Sequence, residues 1–241
     1  MGRYSQPLAP LLADFAGVSS GQQVLDVGCG PGALIAELVS RVGADAVSAV
    51  DPSEPFVDAA RKRFPDVTVR RAPAEDLPFA TSTFDASLAQ LVVHFMADPV
   101  VGLGEMARVT RPDSVVAACV WDHAGDQGPL SLFWDAVREV SPDVADESHL
   151  PGTREGHLAE LFAAAGLREV EEDLLTITLE HETFEDWWEP YTLGVGPAGA
   201  YVAGLGDQGV ERLRESCRNR LPAPPFVLSA GAWAARGRAA G

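Results

Sequence analysis

Residues 24–32 read Val-Leu-Asp-Val-Gly-Cys-Gly-Pro-Gly, and no other stretch limits the possible folds so sharply. The first four suit a short buried strand, and glycines at 28, 30 and 32 suit a tight turn. Directly afterwards Leu34, Ile35, Leu38 and Val39 recur at helical spacing. Strand, glycine turn and helix open a βα unit, in which backbone lacking Cβ atoms can approach a ligand closely.

Two details narrow the ligand. The glycines follow G-x-G-x-G rather than G-x-G-x-x-G, and Asp26 stands two residues before the first of them. A helix N-terminus favours anions, so a carboxylate there would repel a diphosphate. A ligand with an α-ammonium or a sulfonium would gain from it. A second acid, Asp51, ends the next apolar run, Ala46 to Val50. One strand–helix–strand unit after the turn, such a carboxylate can accept both hydroxyls of a ribose. Pro52, Ser53 and Glu54 open a helix there, so an N-cap role for Asp51 is also open.

Further signals follow at Ala74-Glu75-Asp76-Leu77-Pro78-Phe79, Phe84-Asp85 and Arg108-Val109-Thr110-Arg111-Pro112. Together with the glycine turn and Asp51, they resemble class I S-adenosylmethionine (AdoMet) dependent methyltransferases. Within that class the likeness is to the broad small-molecule group that includes the ubiquinone-pathway C-methyltransferases. It spans residues 20–121 well and the remainder loosely.

The resemblance implies a Rossmann-like, doubly wound α/β fold: a seven-stranded, mostly parallel sheet with an antiparallel last strand. It implies AdoMet as cofactor. Asp26, Gly28, Cys29, Gly30 and Gly32 would surround the methionine portion, and Asp51 with Pro52 the ribose. Ala74, Glu75 and Asp76 would border the adenine, and Gln90, Leu91 and His94 the sulfonium. Pro73 departs from the pattern, standing where an acid or amide is common. Proline offers no side-chain acceptor. The exocyclic amine then falls to Glu75, Asp76 or a backbone carbonyl.

Spacing predicts an N-terminal helix over 5–17, helices near 54–63 and 98–109, and strands at 67–71, 83–89 and 115–120. Pro112 is read as marking the stop and turn after the helix near 98–109. Beyond Trp121 the alternation loosens. A helix over 153–165, a sixth strand over 167–179, a helix over 207–220 and a last strand over 226–233 are expected, with a loose tail from Arg236. The last strand is expected to pair antiparallel beside the sixth. Segments 125–151 and 181–206 read as lid insertions over the strand ends of a single domain, 1–241. Phe184, Trp187 and Trp188 would share one helical face, which could pack on the sheet.

Methyl transfer is an in-line displacement that depends on alignment, with a base needed for a hydroxyl or acidic C–H acceptor. His94, after the fourth strand, is the best-placed candidate base, and a packing role is its alternative. Asp122 and His123 follow the fifth strand; His149, His157 and His181 lie on the lids without a ranking. Trp121, Phe133, Trp134, Trp187, Trp188 and Tyr191 point to a hydrophobic or aromatic small-molecule acceptor, although such residues also fill cores.

A length of 241 residues suits one domain, and a net charge of −17 argues against nucleic acid or anionic membrane as partners. Cys29, Cys119 and Cys217 have neither metal-site nor disulfide-framework spacing. No signal segment or bilayer-length apolar run is visible, so a cytoplasmic monomer or homodimer is expected. Two rivals stand beside the methyltransferase. An NAD(P)-dependent oxidoreductase would accept Ala33 as third small residue but tolerates Asp26 poorly. A non-catalytic AdoMet-binding protein is the other.

Overall fold

The computed structural model of the chain describes residues 2–141, 144, 146–194 and 196–241. Seven strands form one sheet in the order β3-β2-β1-β4-β5-β7-β6. β1 (Val24–Val27), β2 (Val47–Asp51), β3 (Thr68–Arg71), β4 (Phe84–Gln90) and β5 (Thr110–Trp121) run parallel. β7 (Phe226–Arg238) inserts antiparallel between β5 and β6 (Arg168–His181). This is the doubly wound, seven-stranded sheet implied by the resemblance.

All four residues of β1 are buried, as a central parallel strand covered on both faces requires. One face is covered by α1 (Gly2–Phe15), α2 (Ala33–Val42) and α3 (Glu54–Arg63), through Leu8, Leu12, Ile35, Leu38 and Val57. The other carries α4 (Pro99–Val109) and α6 (His157–Ala164), through Leu103, Met106, Leu158 and Phe162. α4 starts where the Asp98 carboxylate accepts from Val100 N and Val101 N, with Pro99 in the first helical position. α3 has Glu54 in its first turn and Arg61, Lys62 and Arg63 in its last, matching the helix dipole.

Several boundaries differ from expectation. α1 begins at Gly2 and runs through Pro7 and Pro10. α6 begins at His157 rather than 153, because Thr153 Oγ1 donates to Ser148 O and Leu150 O and holds a loop. Pro112 lies inside β5, not in a turn: pairing jumps from Phe84↔Thr110 to Ala86↔Val115, and the excess residues form an irregularity that tolerates proline. The tail is not loose. Arg236 donates to Phe15 O and pairs with Glu171, and Ala239 N donates to Ser114 O at 3.0 Å.

The largest departure is the length of β6 and β7. Trp121, the last residue of β5, pairs with Ala232, but the β6–β7 ribbon continues six residues further, to His181↔Phe226. At strand rise that is about 20 Å beyond the sheet edge. The ribbon is an arm on which a cap is built. α5 (Ser131–Val140), α7 (Phe184–Trp188), α8 (Gly196–Ala203) and α9 (Asp207–Arg220) share a third core with Phe226 at its tip. The aromatic face of α7 therefore packs on cap helices rather than on the sheet. α9 joins the cap as well, outside the two expected insertions.

Candidate active site

Strand order reverses between β1 and β4, the position at which open α/β sheets hold ligands beyond their C-terminal edges. Gly28, Gly30 and Gly32 have φ of +73°, +51° and +90°. L-residues rarely adopt this region, which explains why the turn is spelled in glycine. Close approach matters too. A Cβ on Gly28 would lie 2.4 Å from Val92 Cγ2, and one on Gly32 would lie 2.4 Å from Phe64 Cε2. A Cβ on Gly30 would meet no protein atom within 4 Å, so this glycine faces open space.

The turn is fastened to β2. Gly28 N and Cys29 N donate to Val50 O at 2.8 and 2.9 Å, and Gly30 N donates to Asp51 Oδ2 at 2.9 Å. Asp51 Oδ1 accepts from Ser53 N at 2.8 Å. The carboxylate thus fixes both the glycine turn and the entrance to α3. Each oxygen keeps a further lone pair for a ligand hydroxyl.

Asp26 is 1% exposed, and neither carboxylate oxygen has a hydrogen-bond partner. Burial, with the Asp51 charge second, raises its pKa to about 8. Buried polar groups are nearly always paired, so this orphan marks a place where a partner is missing. Cys29 is buried in the turn, and its thiol is pushed up by burial and by Asp26 and Asp51. It is a packed thiol, not a reactive one.

Asp26 pairs with Leu88 of β4, which sets Gln90 level with Gly28. Gln90 Nε2 donates to Ser5 O at 3.0 Å, while its Oε1 is buried and unpartnered. Leu91 has φ +62°, a left-handed conformation that costs a non-glycine residue about 1–2 kcal/mol. His94 follows in a single turn of 3-10 helix, buried, with Nδ1 unpartnered. Burial, then the nearby His123, lowers its pKa to about 3. Of the residues expected to border an adenine, Ala74 is buried, Asp76 is exposed, and Glu75 Oε1 accepts from Asp98 N at 3.2 Å. Pro52 is exposed beside them, its carbonyl accepting from Arg71 Nε.

The opposite wall is polar and largely buried. His123 lies 6.3 Å from His94, ring to ring, and burial brings its pKa down to about 4. Its loop is fixed by Asp122, which accepts from Gly125 N and Gln127 Nε2. Tyr4 shares a 3.2 Å hydrogen bond with His181 Nε2 and meets Trp121 edge-on at 6.4 Å. Higher in the cap, Tyr191 stacks on Phe133 at 4.6 Å, and Trp134 Nε1 donates to buried Glu147 at 2.6 Å. His149 closes the 3-10 turn that begins at Glu147, and His157 Nδ1 accepts from Gly152 N. Among the described residues, no cluster of His, Cys, Asp and Glu could hold a metal ion, and no helix is long and apolar enough to cross a membrane.

Sequence reasoning missed Tyr4 and Ser5. A signal was present, since Tyr4, Leu8 and Leu12 fall on one helical face. It missed Val92 and Phe64, whose packing under the glycines depends on strand register. His181 was named but not ranked, because nothing local shows that a strand end reaches back over the sheet.

With this geometry in place, comparison with known proteins shows what the chain is similar to. Residues 25–118 match the family model described as a methyltransferase domain. A putative methyltransferase from Bacillus halodurans superposes with TM-score 0.63 over 97% of this chain and 99% of its own, at 16% identity, a likeness of fold. Over residues 25–118 the chain is thus similar to methyltransferase domains, and it shares its fold with a putative methyltransferase.

More particular likenesses lie in sequence. The ubiquinone/menaquinone biosynthesis C-methyltransferase UbiE of Bdellovibrio bacteriovorus is 37% identical over 109 residues, 44% of this chain and 46% of that protein. The demethylmenaquinone methyltransferase of Renibacterium salmoninarum is 30% identical over 155 residues, 64% of each. The chain thus spans from about half to just under two thirds of the length of these relatives.

Proposed function

We propose that this protein transfers a methyl group from AdoMet to a small-molecule acceptor with an apolar or aromatic body. The observation that carries the reading is Asp26, a buried carboxylate without a partner, just ahead of a left-handed glycine turn and across from Asp51. A cationic amino-acid end supplies the missing partner. The open space at Gly30 and the free lone pairs of Asp51 suit the rest of a nucleoside donor. When bound, AdoMet supplies a methyl already activated on a sulfonium.

The chain's own residues then do four things. Asp26, Gly28, Cys29, Gly30 and Gly32 receive the methionine portion. Asp51, beside Pro52, receives the ribose. Ala74, Glu75 and Asp76 border the adenine. Gln90, Leu91 and His94 border the transferred methyl, where His94 is suited to hydrogen bonding because burial keeps its ring uncharged. The cap excludes water and fits the acceptor, and the chain acts as one domain of which the cap is part. Buried free cysteines at 29, 119 and 217 support a reducing, cytoplasmic setting.

Calorimetric titration with AdoMet, S-adenosylhomocysteine and NADH tests the reading. Saturable binding of the first two and none of the third is expected, with a rise in Tm on ligand addition. Binding of NADH in their place would refute it. Isotope-labelled AdoMet with a panel of phenols, amines and demethylated quinols then separates an enzyme from a binding protein.

A further inference from the structure

The first turn of α1 is unusual for a helix start. Pro7 and Pro10 deprive the carbonyls of Arg3 and Gln6 of their helical donors. Side chains hold the turn instead. Arg3 donates to Asp186 O and Glu180 O at 3.3 and 3.4 Å, Gln90 Nε2 donates to Ser5 O, and Tyr4 bonds His181 Nε2. The tie at Ser5 sets Tyr4 beside the C-terminal end of β4, and the Trp121 contact sets it at the end of β5. His181 ends β6, at the tip of the arm, stacked on Phe226 at 5.3 Å. One phenol hydroxyl thus links the edge where the donor would lie to an imidazole 177 residues away.

A purely structural stitch would leave the imidazole fully satisfied. His181 is 2% exposed, bonds only Tyr4, and keeps an enclosed, unpartnered Nδ1. We propose that Tyr4 and His181 form a proton relay for an acceptor that carries a hydroxyl group. This rests on the methyl-transfer reading above. The acceptor O–H donates to Tyr4 Oη, and Tyr4 O–H donates to His181 Nε2. As the acceptor oxygen forms its bond to the methyl carbon, the S–CH3 bond breaks and its electron pair stays on sulfur, leaving a neutral thioether. The acceptor proton moves to Tyr4 and the Tyr4 proton moves to His181. The positive charge passes from sulfur to imidazole, and atoms and charge balance.

The electrostatics set the resting state of the pair. Burial raises the Tyr4 phenol to about 12, so it passes a proton on without standing as phenolate. Burial, then Arg3 from α1, lowers His181, while Asp186 from α7 opposes them. The ring is therefore uncharged before transfer and has a carboxylate nearby when charged.

The test compares wild type, Tyr4→Phe and His181→Gln, with AdoMet and phenol, catechol, 2-naphthol and 1,4-naphthoquinol as acceptors. Products are read by mass, S-adenosylhomocysteine affinity by calorimetry, and Tm in parallel. Tyr4→Phe keeps the ring against Trp121 and removes only the hydroxyl. Its kcat is expected to fall about 100-fold or more, within the range of general acid–base catalysis, with KM and product affinity held within about twofold. Both variants are expected to flatten the rise of kcat with pH, which a stitch would not do. A Tyr4→Phe protein with full kcat and only a lower Tm overturns the relay. If wild type binds AdoMet but methylates no hydroxyl of the panel, the relay falls and the donor reading stands. If nothing binds, both fall.

Discussion

Around the proposed donor edge the chain is built from backbone: left-handed glycines, amides fastened to β2, and two buried carboxylates. Over the proposed acceptor edge it is built from side chains: Phe133 on Tyr191, Trp134 on Glu147, Tyr4 on His181. Main-chain geometry of the first kind tolerates almost no substitution, because a Cβ either strains φ or meets an atom. Packing of large rings can be refilled by other rings of similar volume. The match to the methyltransferase family ends at residue 118, just before the chain leaves β5 for the cap.

This contrast can be broken most directly in the cap. Phe133→Ala removes a fully buried ring and should destabilise by about 3–5 kcal/mol. If the cap is energetically its own unit, amide protection is lost in α5, α7 and α9 while β1, β2 and β4 stay protected and S-adenosylhomocysteine affinity holds. An equal loss of donor affinity would join the two regions into one.

The donor edge is sharpened by two glycines. Gly28→Ala meets Val92 and should lower both Tm and AdoMet affinity, the latter by about 100-fold, or ~2.7 kcal/mol. Gly30→Ala meets no protein atom, so beyond a left-handed strain of about 1–2 kcal/mol it should act on affinity alone. Equal affinity in Gly30→Ala and wild type would show that this space belongs to no ligand.

Asp26 gives a pH test in the donor-free protein. Its folded pKa is raised to about 8 from the ordinary 3.8, so between these values the folded chain holds a proton that the unfolded chain has released. Stability therefore falls as pH rises through this window, by up to about 1.4 kcal/mol per unit, and levels off above it. Asp26→Asn should flatten urea-melt stability between pH 5 and 8, and an unchanged slope would mean that the carboxyl is not held neutral. The smallest effect is expected at Asp98→Ala, which removes the α4 N-cap for about 1 kcal/mol in the same melts and leaves donor affinity alone.

The parallel half was legible because its signals are local. Val24 to Gly32 spells strand, turn and ligand charge within one turn of chain, and Asp51 falls where one crossover must put it. The start of β5 was not legible, because Pro112 suits a turn and a strand irregularity equally well. The arm was not legible either. Residues 168–181 alternate as any edge strand does, and nothing in them states that pairing with β7 continues past Trp121. Nor does α9, polar along most of its length, announce that Leu213 and Cys217 close the cap core.

By itself the sequence determined which bends only glycine can make and where two carboxylates fall at or next to the ends of neighbouring strands. These follow from φ limits and from the fixed length of a crossover. Only the tertiary structure decided that the first turn of α1 meets the end of β6, and that Asp26 is left without a partner. Such facts depend on strand register and on which groups burial brings together, and no window of sequence contains both members of the pair.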